Sequence, residues 1–297
     1  MTCRAERIRS GSGYLPVQAV DGRQNNGPVL LCPAGIIFSF SKGYWLASMR
    51  VTSSLALVAS FQYGISGPWD CHVYAVRGPA GIVLVDSGAG THTDALLANL
   101  RADLGANDVE TLLATHGHLD HCGGAASIHA KTNCRVITTE YTRRILEQGD
   151  EEASGLWLAR TQGVYPADFR FTPCEVNQSF RDGEQFEAGG LTWKVIRVRG
   201  HSDDSSCFLA EIDGKPALFS ADVIFYGGVL GVINAEGSGM SGYRADLRKL
   251  SNLGIEGLFP GHGLFTLRGG QRHIDVAVEH LEQGFIPRQI GQGDLIF

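Results

Sequence analysis

An apolar run at 109–115, VETLLAT, leads directly into THGHLDHCGG at 115–124, so three histidines and an aspartate fall within positions 116–121 and are closed by two glycines. A chain that carries such a run at the end of a strand has two uses for it. The polar side chains can cap a helix beginning near His121, or the imidazoles can converge on a metal ion. With ten histidines in 297 residues, the pattern HxHxDH arises by chance in roughly one such chain in two thousand, which makes coincidence a poor account of it. A helix cap needs no partners elsewhere, whereas a metal site does.

Partners are present. RGHSDDSS places His201 directly after an apolar run, LFSADVIF does the same for Asp222, and LFPGHG for His262. Each lies beside glycine or small residues, where a loop can lift a side chain above a rigid sheet. Neutral imidazoles and carboxylates suit zinc and related borderline metals. Five histidines and two aspartates are enough for two ions that keep positions open for water.

Around these residues the chain alternates short apolar runs with helical patterns. The runs at 55–61, 71–76, 81–86, 109–115, 134–138, 191–198, 206–212, 216–222 and 256–259 read as strands. Leu96, Leu100 and Leu104 share a face of a helix over 91–105, with Thr or Asp at its start and Gly105 as its stop. Further helices are expected at 139–149, 151–162, 241–254 and 271–283, and no repeat or low-complexity linker divides the body. Strands in this mixed order are compatible with two sheets between helical layers, but periodicity alone does not select that arrangement.

HxHxDH, a later GH, a strand-ending aspartate and a final PGHG resemble the metallo-β-lactamase-fold hydrolase superfamily over residues 53–283. The resemblance implies an α+β fold, a four-layer αβ/βα sandwich of two mixed β-sheets flanked by helices, with metals at one edge. It implies that His116, His118 and His201 hold a first ion, that Asp120, His121 and His262 hold a second, and that Asp222 bridges them. VDSG at 85–88 matches an early strand-end motif in which Asp86 fixes a ligand imidazole, and Gly123 and Gly124 let the helix start pack close beneath the site. The chain departs from the family at GHSDDSS, where GHTPGS is commoner, so the loop after His201 is more acidic and its substrate contacts are open.

The ligand set narrows what the resemblance implies. Metallo-β-lactamases proper lack a bridging carboxylate at the Asp222 position, and flavodiiron-type members carry glutamate where this chain has His118. The full set is similar to that of glyoxalase II, lactonases, phosphodiesterases and RNase Z-like nucleases. The implied activity is a dinuclear metallo-hydrolase that uses a metal-bridging hydroxide on a small ester, lactone or thioester, with Asp120 orienting the nucleophile and taking up its proton. Two zinc ions are the expected cofactor, with iron or manganese as alternatives. The competing activities are a mononuclear iron persulfide dioxygenase-like oxidoreductase and a phosphodiesterase or nuclease of the same fold; a scaffold without activity would be expected to have lost some of the seven residues.

Composition bears on partners. A hydrophobic share of 43%, a charged share of 19% and a net charge of −6, with no lysine- or arginine-rich run in the body, point away from nucleic acid, and the resemblance implies a small-molecule substrate. Seven scattered cysteines without a CxxC pair read as reduced thiols in a cytoplasmic setting. Residues 1–50 are expected to be an N-terminal extension, disordered or preceding the true start at Met49, ahead of a domain over 51–297. Three arginines in residues 1–13 and the apolar run at 29–40 also resemble a weak export signal over 1–48, but Pro33, Gly35 and Lys42 interrupt it too often for a membrane span. Oligomeric state has no sequence signal. His72, His92, His129, His273 and His280, Tyr226 and Tyr243, Cys122 and Cys207 are expected to be packing or surface groups, and Asp203 and Asp204 to sit on a solvated loop. Substrate choice is expected to lie in the loops at 60–70, 150–180 and 225–240.

Overall fold

The computed structural model describes residues 49–105 and 108–290, together with the strand backbones of 29–31 and 37–39. The chain divides into two units, Met1–Tyr44 and Trp45–Phe297. In the first, β1 (Val29–Leu31) pairs antiparallel with β2 (Ile37–Ser39); the rest of residues 1–48 lies outside the described residues, and Met49 and Arg50, expected to end the extension, form a strand of the second unit.

The second unit holds two sheets. The first runs β3 (Met49–Arg50), β4 (Leu55–Ala59), β5 (Val73–Arg77), β6 (Ile82–Val85), β7 (Val109–Leu113), β8 (Arg135–Thr139) and β9 (Gln178–Phe180), in that spatial order. Its β3 to β6 pairs are antiparallel and its β6 to β9 pairs parallel. The second runs β10 (Gln185–Ala188), β11 (Leu191–Arg197), β12 (Ser206–Ile212), β13 (Lys215–Ala221) and β16 (Gly257–Pro260), antiparallel except for the last pair. A small hairpin of β14 (Ile224–Phe225) and β15 (Val229–Leu230) follows β13.

Side-chain alternation explains the stacking. In β4, Leu55 and Leu57 face the space between the sheets, where they meet Trp193, Phe208 and Phe219 of the second sheet, while Ala56 and Val58 face the other way. That outer face is covered by α1 (Thr93–Leu104), α2 (Leu119–Cys122), α3 (Ala125–Thr132), α4 (Glu140–Gln148) and α5 (Leu156–Thr161). Cys207, Leu218 and Leu258 turn outward from the second sheet and pack under α6 (Met240–Asp246), a 3-10 turn at Leu247–Leu250, and α7 (Gly270–Glu282). Strands buried on both faces must be apolar throughout, which is why β4 and β6 read as unbroken hydrophobic runs. The result is the four-layer αβ/βα sandwich of two mixed sheets.

Several local expectations are corrected. The helix over 91–105 begins at Thr93 behind His92, which makes no side-chain cap, although Gly105 does close it in the left-handed conformation. The segment 151–162 becomes helical only at Leu156, because Asp150 accepts from the backbone of Glu152 and Ala153 and holds that stretch as a turn. The helix expected over 241–254 is α-helical only to Asp246 and then tightens into the 3-10 turn, whose Leu247 and Leu250 stay buried.

Asp246 also ties α6 to the loop that carries His201. Its carboxylate accepts from Arg199 Nε at 2.6 Å and from the Arg199 backbone at 3.2 Å, and it lies 3.1 Å from Lys249 Nζ. Burial opposes ionisation, but Arg199 and Lys249 hold the carboxyl down at about 2. Because that is below the unfolded value, the stabilisation is present above about pH 4 and is lost as pH falls toward 2. Asp246→Asn should cost about 1–2 kcal/mol at pH 7 and close to nothing at pH 2, as read by urea unfolding at the two pH values.

Candidate metal centre

The seven predicted residues arrive from two directions. β7 ends at Leu113, so His116 and His118 sit in the loop that follows it, and Asp120 and His121 lie on the single turn of α2. His201 follows β11, Asp222 follows β13, and His262 follows β16. Strands β13 and β16 are parallel neighbours with Ala221 opposite Pro260, which brings Asp222 and His262 together at one sheet edge. Gly261 makes that approach feasible: a Cβ there would lie 2.4 Å from Asp222 Oδ1 and 2.5 Å from His121 Cε1.

The structure brings all seven together in two overlapping groups. His116 Nε2 lies 3.1 Å from His118 Nδ1, and His201 Nε2 lies 2.9 Å from His118 Nδ1 and 3.2 Å from His116 Nε2. In the second group, Asp120 Oδ2 is 3.1 Å from His262 Nε2 and 3.5 Å from His121 Nε2. Asp222 faces both groups, with Oδ1 3.4 Å from His121 Nε2 and Oδ2 at 3.5 and 3.6 Å from the Nε2 atoms of His262 and His201.

The outer nitrogens decide what the inner ones can do. His201 Nδ1 donates to the Gly231 carbonyl at 2.6 Å, and a carbonyl can only accept, so Nε2 presents a lone pair. His121 Nδ1 donates to Asp86 Oδ2 at 2.8 Å, which leaves its Nε2 facing inward. The Thr115 hydroxyl donates to Asp86 Oδ2 at 3.0 Å and therefore accepts from His116 Nδ1, also at 3.0 Å. Asp86 thus orients two imidazoles, one directly and one through Thr115. It does so from φ +65 at the end of β6, a left-handed position held in place by its bond to the Thr115 backbone.

Lone pairs of imidazole nitrogens about 3 Å apart repel unless a cation lies among them. Two buried atoms point the same way, since His121 Nε2 and Asp222 Oδ1 have no hydrogen-bond partner. Burial and the neighbouring imidazoles drive His116 well below the usual histidine range, and burial takes His201 down to about 4. Burial alone would raise the carboxyls of Asp120 and Asp222, yet His121 and His262 pull both well below the usual range. His121 itself is raised against its burial. The buried Cys71 thiol beside it is pushed up to about 12 and so is uncharged at neutral pH, leaving the carboxylates of Asp222, Asp120 and Asp86 as the cause. The donor set therefore suits divalent metal.

Sequence reasoning missed two contributors and misplaced a third. Asp204, expected on a solvated loop, is buried: its Oδ2 accepts from the Gly117 backbone at 3.0 Å and from the Thr142 hydroxyl, and its Oδ1 accepts from Ser202 at 2.7 Å. It braces the loop between His116 and His118, whereas Asp203 is exposed as expected. Asp70 was not singled out at all; burial raises its carboxyl to about 6, and it lines a cavity with Asp120. His72, read as an ordinary packing histidine, is packed, but it also grips the His262 loop. Its backbone N–H donates to the Gly261 carbonyl at 2.7 Å and its Nε2 to the Gly263 carbonyl at 2.8 Å, while Gln62 Oε1 accepts from the Gly263 N–H at 2.6 Å. Cys122 and Cys207 are buried, and Tyr243 is buried with its hydroxyl donating to Val223 O at 2.9 Å. The five described cysteines are free thiols.

Burial lowers His72 to about 4 against a reference value of 6.5. Between those values the unfolded chain binds the extra proton, so stability falls as pH drops through that window. His72→Gln, which keeps a donor but cannot titrate, should flatten the pH dependence between 7 and 5 by about 2 kcal/mol, measured by denaturant unfolding.

Two cavities flank the cluster. One, of about 310 Å³, touches Asp120 and His262 and is walled by Phe61, Trp69, Val164 and Tyr165, with Trp69 stacked on Tyr165 at 5.0 Å. The other, of about 200 Å³, touches His118 and is walled by residues of the 141–158 and 202–236 segments. A larger cavity of about 620 Å³ between Gly123 and Phe169 contains none of the seven residues. Among the described residues, no helix is long and apolar enough to cross a membrane.

A sandwich whose one edge gathers histidines and aspartates in this way belongs to a class of metal-binding α+β proteins. Residues 66–262 match the model of the metallo-β-lactamase superfamily. The atrochrysone carboxyl ACP thioesterase of Aspergillus fumigatus is 30% identical over 182 residues, which is 61% of this chain and 47% of that protein, so the chain spans about half the length of that relative. An uncharacterized protein of Mycobacterium tuberculosis is 29% identical over 233 residues, 76% of this chain and 100% of that protein. Among solved structures, a metallo-β-lactamase from Cronobacter sakazakii superposes with a TM-score of 0.61 at 19% identity, covering 80% of this chain and 96% of that one; at that identity the likeness is one of fold. The chain belongs to the metallo-β-lactamase superfamily.

Proposed function

We propose that the domain over 51–297 is a metal-dependent hydrolase of small esters, lactones or thioesters with a dinuclear centre. His116, His118 and His201 would hold one ion, Asp120, His121 and His262 the other, and Asp222 would lie between them. The observation that carries this reading is the approach of His116 Nε2 and His201 Nε2 to 3.2 Å while both outer nitrogens donate elsewhere, so that neither has a proton to share. The thioesterase named among the relatives supports the choice of bond, and the resemblance to glyoxalase II-like ligand sets supports zinc as the metal.

When bound, a pair of divalent cations supplies Lewis acidity, bringing the pKa of a water to about 7 and polarising a substrate oxygen. The protein's own groups do the rest. Asp120, the more exposed of the two aspartates, is placed to orient an attacking water and to hold the proton it gives up. Asp86 and the Gly231 carbonyl keep the histidine tautomers that face their Nε2 atoms inward. Trp69 and Tyr165 exclude water from one side and offer an apolar wall to an acyl group. Among the described residues, the cavity walls next to Asp120 and His118 carry no lysine or arginine, which favours a carbonyl substrate over a phosphodiester or nucleic acid.

The test is metal analysis of the purified chain together with hydrolysis of a neutral thioester, a lactone, a phosphodiester and a β-lactam. Two equivalents of zinc with thioester or lactone turnover is the expected result. A single iron with oxygen consumption, or no bound metal, would sink the reading.

A further inference from the structure

We infer that the cavity beside His118 is a subsite for an organic ammonium group, so that the preferred substrate carries a positive charge on the side of the scissile bond away from the Trp69–Tyr165 wall. This rests on the hydrolase reading for the identity of the substrate, but not for the binding itself.

The cavity is about 200 Å³ and shares Gly117 and His118 with the metal centre. That volume holds a small alkylammonium head and is too small for a nucleotide. Two large aromatic side chains line it and remain open to solvent, Trp157 at 55% exposure and Tyr141 at 45%. Both face a space that Leu158 makes partly apolar. An exposed tryptophan and tyrosine around a small cavity offer ring faces to a cation.

The charge on the walls has one sign. Glu152, Asp203, Asp204 and Glu236 contribute carboxylates, and among the described residues no lysine or arginine lines the cavity. Arg197, which reaches this loop, binds the Asp203 carbonyl. Asp204 is buried and held only by neutral donors, the Gly117 N–H and the hydroxyls of Thr142 and Ser202, so its charge is not cancelled by a partner. The Tyr141 hydroxyl registers the combined field: burial and then the carboxylates of Asp204, Glu236, Asp203 and Asp150 raise its pKa. An anionic leaving group such as glutathione or a pantetheine phosphate would meet that field as repulsion, and a hydrated inorganic cation would make no use of the indole and phenol rings. An alkylammonium satisfies both walls.

The two cavities lie on opposite members of the ligand cluster, one against His118 and the other against Asp120 and His262. A substrate reaching into both would present its carbonyl to the metal centre, with an apolar acyl group on one side and an ammonium-bearing alcohol or thiol on the other.

Calorimetric titration of the full chain with benzyltrimethylammonium tests the subsite without requiring turnover. Saturable binding is expected, at least about tenfold tighter than benzyl alcohol, with no binding of benzenesulfonate. Trp157→Ala should weaken the cation by about tenfold, and the double variant Glu152→Gln/Glu236→Gln should weaken it by about tenfold at low salt, with the difference shrinking at high salt. Equal affinity for the cation and the alcohol, displacement by sodium at equal concentration, or binding untouched in both variants would overturn the proposal. Hydrolysis of a neutral thioester by the same wild-type preparation reports separately on the hydrolase reading. Cation binding without turnover would leave the subsite standing and the hydrolase reading fallen.

Discussion

Asp120→Ala should lower kcat/KM for a small neutral thioester by about a thousandfold or more while leaving the fold intact. The side chain projects into the cavity walled by Phe61, Trp69 and Tyr165 and is about a third exposed, so truncating it opens little void. It removes the carboxylate that accepts from His262 Nε2 and to which the proposed reading gives the proton of the attacking water. The decisive comparison is with Asp120→Asn, which keeps the shape but not the charge. If Asp120 both holds an ion and handles the proton, the two variants fail alike in turnover, and each retains about one equivalent of metal at the His116, His118 and His201 group. An Asp120→Ala protein with wild-type kcat/KM would exclude the assigned role.

Asp86→Ala acts from beneath the site and should affect both stability and metal. Its carboxylate is buried and accepts three hydrogen bonds: from the Thr115 N–H, the Thr115 hydroxyl and His121 Nδ1. Alanine takes the acceptor from all three of those donors in the interior and must also occupy φ +65. The expected loss is about 3 kcal/mol in unfolding free energy, with metal affinity falling about 10–100-fold as His121 and His116 lose their fixed orientation. Asp86→Asn should recover part of the stability, because asparagine tolerates the left-handed position and still accepts from the Thr115 backbone. Competition with a chromophoric chelator measures the affinity, and urea unfolding the stability.

Much of the site was legible because its residues are of rare type and each follows an apolar run. His116, His118, His201, Asp222 and His262 could be placed at strand ends before any contact was known. The sheets were legible for a related reason: β4 and β6 are buried on both faces, so their sequences are continuously hydrophobic. What escaped depends on long-range pairing. Nothing near Asp204 announces that Thr142, 62 positions away in the chain, will turn a loop aspartate into a buried brace. His72 reads as one more histidine until Gly263, 191 positions away, accepts from it. The two-residue strands β14 and β15 are too short for any period to show, and the aromatic walls at Trp69 and Trp157 come from a loop and from the short helix α5, whose sequences carry no repeat.

Four of the clustered residues belong to loops of the first sheet and three to loops of the second. An ion held among them would therefore bridge two layers, while the cavities against His118 and against Asp120 and His262 leave it a direct route to solvent. Its loss would not require the sandwich to open, but opening the sandwich would require its loss. Unfolding free energy measured with and without metal reads how much such a bridge adds.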